Sequence, residues 1–247
     1  MRFSYSAVWN DTVALLRSHG SLLLAVAGVF IFIPLLLTGY FLPAAQSTTD
    51  PIGAMGRYYA ENWPWLALAS LVNAIGTIAI YRLIFAEHGT TVGQAIAGGL
   101  PLVLPYFVLT ILISFAVGTG LALFVIPGVY LLGRLIASAP AMVAENRRNP
   151  LAALGESWRL TRKRGWAAAG LILIVGIAGA LLAFVLLMVL GTVIILALGR
   201  EGVGGLILLI VNAALNSALF TVLIVLAASL YRALRGEVGD APPTTGI

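Results

Sequence analysis

The chain has 247 residues, of which 61% are hydrophobic and only 9% are charged, with a formal net charge of +5. Since a soluble domain carries about 25% charged residues, this composition excludes a water-soluble globule and predicts a membrane protein with several spans. The absence of cysteine excludes disulfides, iron–sulfur sites and thiol catalysis. The two histidines, His19 and His88, have no carboxylate or second histidine at ligand spacing, so we expect no metal ion and no other cofactor.

Apolar runs of the length that crosses a bilayer, about 20 residues, recur along the chain. They predict an all-α fold, with one six-span membrane domain at residues 1–236 and a disordered tail at residues 237–247. Pro34 is expected to kink the first span, and Gly191 is considered as a break in the fifth. The predicted spans are residues 21–42, 63–86, 102–125, 128–145, 166–196 and 206–231.

The segments between the spans are of two kinds. Residues 43–62 are predicted as the longest polar connection, and residues 87–100 as a short, weakly amphipathic segment rich in glycine. Amphipathic patterns instead predict surface helices, the second of them with Asn149 as N-cap and Pro150 as first residue. A cleaved signal peptide is the alternative for the first one, and the apolar run after it is too long for that. The predicted surface helices are residues 4–18 and 150–164.

The distribution of lysine and arginine predicts the orientation. If the N-terminus is cytoplasmic, the outer side holds only Arg57 and Arg200, and Arg134 lies within a span. Positive charge is retained on the cytoplasmic side of membrane proteins, so both termini are predicted to be cytoplasmic. The inner side then holds Arg2, Arg17, Arg82, Arg147, Arg148, Arg159, Arg162, Lys163, Arg164, Arg232 and Arg235.

Two parts of the chain share a spacing of charged residues and glycine before a span. The segment before the third span is a weaker third copy. This sharing raises the hypothesis of a threefold repeat, in which each unit is a surface helix followed by a hairpin of two spans. The shared positions are Asp11, Arg17 and Gly20 before the first span and Glu156, Arg162 and Gly165 before the fifth.

The central part of the chain carries the most distinctive pattern: IPGVYLLGR, then a run of small residues and proline, then a glutamate, then LAALGESWRLTRKRGW. It resembles the bacterial family called the membrane domain of glycerophosphoryl diester phosphodiesterase. The junction Arg162–Arg164 before Gly165 is longer and more basic than is usual in that family. The matching positions are Pro127, Gly128, Arg134, Glu145, Ala153, Leu154, Ser157, Trp158, Leu160 and Thr161.

The resemblance, which extends to uncharacterised relatives of that family, implies a multi-pass protein of the bacterial cytoplasmic (inner) membrane. In some family members, this membrane region precedes a separate soluble phosphodiesterase module. A metal-dependent phosphodiesterase needs several carboxylates and histidines around a cation, whereas the nine acidic residues here are scattered among loops. The catalytic activity of that module is therefore not expected in this chain.

Arg134 is the strongest single functional signal, because an arginine near the middle of a span is costly and needs partners. One interpretation is a polar clasp that holds helices in register. The other is an anion or lipid-phosphate site inside the bundle. The clasp is favoured because no second charge lies within a span. The candidate partners of Arg134 are Tyr130, Asn73, Thr77, Asn212 and Asn216, with Ser217 beside them.

Six cations around the predicted surface helix are expected to contact anionic lipid headgroups, each contributing about 1 kcal/mol. Membrane lipids are therefore the expected partners, a membrane-protein partner is considered, and nucleic acid is not expected. Glu145 is interpreted as a structural cap, which either pairs with Arg147 or Arg148 or accepts hydrogen bonds from the following helix. The six cations are Arg147, Arg148, Arg159, Arg162, Lys163 and Arg164.

These observations favour a non-enzymatic membrane protein that organises the membrane or assists a partner. The alternative is a transporter or lipid-handling protein that uses a site near Arg134. A membrane-embedded enzyme is disfavoured, because no paired carboxylates, HExxH motif or Ser/His arrangement is present.

Overall fold

The computed structural model describes residues 4–42, 50–86 and 90–239, and every regular element in them is helical. A π-helical turn, Gly28–Phe32, joins α2 to α3, and a 3₁₀ turn, Leu100–Leu102, joins α5 to α6. The helices are α1 (Tyr5–Ser18), α2 (Gly20–Ala27), α3 (Ile33–Phe41), α4 (Pro51–Phe85), α5 (Val92–Gly99), α6 (Val103–Leu123), α7 (Val125–Leu135), α8 (Ser138–Ala144), α9 (Pro150–Leu160), α10 (Gly165–Leu198) and α11 (Val203–Gly239).

Six stretches of the described residues are long and apolar enough to cross a membrane. The prediction of an all-α membrane protein with six spans is therefore confirmed. The stretches are Gly20–Phe41, Gly53–Phe85, Val92–Leu123, Val125–Ala144, Gly165–Leu198 and Val203–Glu237.

The ends of several helices differ from the predicted ones. The polar connection predicted to reach residue 62 is shorter, because α4 already begins at Pro51. Asp50 caps α4 by accepting a 2.9 Å hydrogen bond from the Gly53 N–H, and proline is favoured at a first helical position. At the other end of the chain, α11 continues to Gly239, three residues into the predicted tail. The rest of that tail lies outside the described residues, as does His88.

The two expected interruptions have different outcomes. The π-helical turn Gly28–Phe32 lies just before Pro34, and such a turn accommodates a proline that has no N–H to donate. By contrast, α10 runs without a break through Gly191. The fourth span is interrupted where no interruption was predicted, at residues 136–137 between α7 and α8.

The same burial pattern recurs in three short helices: α1, α5 and α9. Their N-caps are Ser4, Thr91 and Asn149. In each case, the residues four, eight and eleven positions after the N-cap are buried. These residues are Val8, Thr12 and Leu15 in the first unit; Ala95, Gly99 and, in the 3₁₀ turn after α5, Leu102 in the second; and Ala153, Ser157 and Leu160 in the third. This shared register supports the hypothesis of a threefold repeat, and it does so at positions other than the charged residues and glycines from which the hypothesis was raised.

Packing between the units follows a cyclic order. The helix α5 packs on α4, and α9 packs on α7 and α8, so each short helix lies against the second span of the unit before it. The helix α1 closes the ring, because it packs on α11. The second spans also contact one another through α4, α8 and α11, and their buried residues form much of the core. The three short helices therefore join neighbouring units of the bundle.

We expect Gly99→Ala to lower the free energy of unfolding by about 1–3 kcal/mol, the usual range for overpacking. A Cβ on Gly99 would lie 2.7 Å from the Ile78 Cγ2 methyl at the contact between α5 and α4. Thermal unfolding of the protein in nanodiscs measures this change. The matched control is Gly93→Ala in the same helix, since a Cβ there meets nothing within 4 Å. Equal melting temperatures for the two variants would contradict the tight contact.

Candidate functional site: the Arg134 clasp

The interruption between α7 and α8 places the backbone carbonyl of Arg134 at a helix end. Carbonyls at helix ends lack an intrahelical partner and need another donor. Ser157 Oγ of α9 donates to this carbonyl at 2.7 Å, and Thr161 Oγ1, 3.1 Å away, shares its single proton between it and a second acceptor. Thr161 Oγ1 also lies 2.6 Å from the Ser157 carbonyl oxygen. All three residues are buried, so these bonds fix α9 to the interruption of the fourth span.

The side chain of Arg134 is held by aromatic rings. It is 3% exposed, and its Cζ atom lies 4.1 Å from the centre of the Trp158 ring and 5.8 Å from that of Tyr130. Cation–π attraction stabilises a guanidinium in this position. Trp166 contacts Tyr130 in turn, with ring centres 5.4 Å apart. The guanidinium is nevertheless under-satisfied, because its Nε and Nη1 atoms are buried without a hydrogen-bond partner among the described residues.

Glycine allows the close approach of the helices around this side chain. A Cβ on Gly165 would lie 2.7 Å from Arg134 Cδ, and a Cβ on Gly133 would meet the Gly165 carbonyl oxygen. The α7 and α10 backbones therefore cross in direct contact. We refer to Arg134, Ser157, Trp158, Thr161 and Gly165 as the Arg134 clasp.

The structure brings only one of the predicted partners to Arg134, namely Tyr130. Asn73 and Thr77 instead donate to carbonyls of their own helix at 3.0 and 2.9 Å. Asn212 and Asn216 are exposed on the outer side of α11. A polar side chain in a helix can bond to the carbonyl four residues earlier, so spacing alone did not reveal where these residues point.

Sequence reasoning missed the α9 hydroxyls as partners of Arg134. Ser157 and Thr161 are four residues apart and therefore share a face of α9. Two hydroxyl residues at this spacing were visible in the sequence. Their acceptor was not, because it is exposed only by the interruption at residues 136–137.

A second polar group, the Glu145 network, joins the end of α8 to α11. Glu145 Oε1 accepts from the Tyr231 hydroxyl at 3.0 Å and from Arg235 Nη1 at 2.7 Å. Glu145 Oε2 pairs with Arg147, and Arg235 also donates to the Tyr231 hydroxyl. The predicted pairing with one of the next two arginines is thus present for Arg147, and residues of the last helix complete the network.

The six predicted headgroup cations divide into two groups. Arg147, Arg159 and Arg164 form ion pairs with Glu145, Glu156 and Glu237. The hydrogen bond from Arg159 lowers the pKa of Glu156. The other three cations are exposed and form no ion pair among the described residues; they are Arg148, Arg162 and Lys163. We call the end of the bundle that carries all six the basic face.

Residues 101–238, more than half of the chain, match the membrane domain of glycerophosphoryl diester phosphodiesterase. The chain belongs to this family. The matched region contains the whole Arg134 clasp and the whole Glu145 network. No match to a catalytic domain accompanies it, and no solved structure matches the chain. Within residues 4–42, 50–86 and 90–239, no three histidine, aspartate or glutamate side chains lie together as a metal site.

The clasp provides a test of how α9 is held. The double variant Ser157→Ala/Thr161→Val leaves the buried Arg134 carbonyl without its α9 donors, and an unsatisfied buried acceptor costs about 1–3 kcal/mol. We expect a lower melting temperature and faster amide hydrogen exchange in α9. Hydrogen exchange with mass spectrometry in nanodiscs measures the second effect.

The control for this test is Thr192→Val. Thr192 is exposed and donates only to the Met188 carbonyl of its own helix. If α9 of the double variant exchanged no faster than α9 of this control, the two hydroxyls would not be what holds the helix.

Proposed function

We propose that this protein is a non-enzymatic, membrane-organising protein of the bacterial inner membrane, with both termini cytoplasmic. It would act through contacts with anionic lipid headgroups and partner helices. The family match covers a membrane domain and is not accompanied by a match to a catalytic domain, which supports a role other than catalysis. The concentration of cations on the basic face supports a cytoplasmic position for that face.

The observation that carries this proposal is a group of exposed cations beside α9, which form no ion pair with any residue that the structure describes. Arg148, Arg162 and Lys163 are exposed just before and just after α9. A cation near an anionic leaflet contributes about 1 kcal/mol of attraction. Because the Arg134 clasp already orders α9, little of that attraction is spent on ordering the helix. The three cations would therefore gather anionic lipid at one place on the bundle.

We expect the triple variant Arg148→Gln/Arg162→Gln/Lys163→Gln to lose most of its preference for anionic over zwitterionic lipid, a decrease of at least about threefold. Spin-labelled phosphatidylglycerol and phosphatidylcholine in proteoliposomes measure the relative association. The wild-type preference should also fall at high salt, since screening weakens exposed charges.

The matched control removes charge from the opposite end of the bundle. Arg57 and Arg200 are also exposed, and Arg57→Gln/Arg200→Gln should leave the preference unchanged. A preference that survives in the triple variant, or that both variants lose equally, would refute a lipid-gathering role for the basic face.

The second candidate function is lipid handling or transport at Arg134, and one observation favours it. Buried donors without a partner are costly, and a phosphate or carboxylate oxygen would satisfy Arg134 Nε and Nη1. The Trp158 ring at 4.1 Å and the buried position weigh against an accessible ligand in this conformation. We therefore retain the clasp interpretation as the main one.

Native mass spectrometry from nanodiscs separates the two candidates. For a clasp, we expect Arg134→Gln to lower the melting temperature and the wild type to carry no stoichiometric anionic ligand. The first effect follows from the loss of the cation–π contacts, each contributing about 0.5–2 kcal/mol. A stoichiometric anionic lipid or metabolite on the wild type that disappears in a stably folded Arg134→Gln protein would establish the ligand site instead.

A further inference from the structure

Two amide side chains lie on the outer surface of α11, where the surrounding residues are apolar. Asn212 and Asn216 are exposed, as are Ile210 and Phe220 nearby. At about 1.5 Å per residue, Asn216 lies about 20 Å along the helix from Val203 and about 24 Å from Arg232. Both amides therefore lie well inside the apolar part of the span, on the side that faces lipid.

These amides satisfy each other only in part. Asn216 Nδ2 donates to the Asn212 backbone oxygen at 2.9 Å and to Asn212 Oδ1 at 2.7 Å. Within the described part of the chain, Asn212 Nδ2 donates no hydrogen bond. Lipid tails supply no acceptor, and an unpaired polar group in hydrocarbon is costly. Beside Asn212, a cavity of about 490 Å³ opens between α10 and α11 and includes Thr192 in its wall.

We propose that this face of α11 is the contact between two copies of the chain, joined by hydrogen bonds between their Asn212 and Asn216 amides. An amide both donates and accepts, so the same residues can complement themselves. A two-fold axis along the membrane normal places identical residues of two copies at the same depth. A second copy therefore supplies an amide where Asn212 lacks an acceptor, whereas a different protein would need a polar side chain at that same depth.

This contact is independent of the lipid-gathering function of the basic face. The α11 patch is on the lipid-facing side of the bundle, and none of the six headgroup cations belongs to it. Asparagine side chains are known to drive association of membrane helices through interhelical hydrogen bonds. Thr110 of α6 is also exposed, but it donates its single hydroxyl proton to the Tyr106 carbonyl at 3.0 Å. Unlike the Asn212 amide, it therefore has no donor left for a second copy.

Disulfide cross-linking of the full chain in proteoliposomes tests the proposal, because the natural sequence contains no cysteine. Phe220→Cys places one thiol on the face of Asn216, one helical turn away. Ile111→Cys places one on the exposed side of α6 as a control. We expect a covalent dimer from the first variant and only a background yield from the second. Equal yields at the two positions, or no dimer from the first, would overturn the proposal.

The asparagines themselves are tested by Asn212→Leu/Asn216→Leu, with Thr110→Val as control. Each interhelical hydrogen bond lost weakens association severalfold, so we expect about a tenfold rise in the dimer dissociation constant. Single-molecule photobleaching at several protein-to-lipid ratios measures it, and melting temperatures check folding. The contact would be refuted if the dimer dissociation constant were unchanged in the double variant, or if the wild type were monomeric at every protein-to-lipid ratio. It would also be refuted if Phe220→Cys formed a disulfide in cells with another protein and not with a second copy of the chain.

Discussion

The backbone carbonyl of Arg134 is the group on which the middle of the molecule depends. The interruption between α7 and α8 exposes this carbonyl, and Ser157 and Thr161 satisfy it from α9. The Arg134 side chain also contacts α9, because its Cζ atom lies over the Trp158 ring. These contacts help to hold α9 in place, and with it the exposed cations just before and just after the helix. This contact brings four residues of the family motif to one place, although Thr161 follows Arg134 by 27 positions. The four are Arg134, Ser157, Trp158 and Thr161.

The hypothesis of a threefold repeat extends this account from the clasp to the whole bundle. Each short helix buries three residues at the same register against the preceding unit, and α1 closes the ring on α11. Lipid tails provide no hydrophobic drive for helices to associate, so close packing and polar contacts must hold the bundle together. Gly99 allows close packing where α5 meets α4. The hydroxyls of the Arg134 clasp and the Glu145 network supply the polar contacts.

The sequence predicted some parts of the site and missed others for identifiable reasons. Tyr130 lies one helical turn from Arg134, so their contact follows from helix geometry. Asn73 and Thr77 have the same spacing between them but bond to their own backbone. The early start of α4 could have been predicted from the Asp50–Pro51 pair, which is a cap followed by a first-turn proline. The polar composition of the following residues concealed it.

The sequence by itself determined the all-α membrane class, the six spans and the uneven distribution of cations, because each depends on the length of an apolar run or on charges beside it. The tertiary structure decided which side chains meet. Glu145 bonds to residues 86 and 90 positions later, and Asn212 and Asn216 face outward instead of toward Arg134. These outcomes depend on the rotation of each span about its axis and on the interruption of the fourth one. Spans that are apolar on nearly every face carry little periodic signal of that rotation, so only packing among the helices sets it.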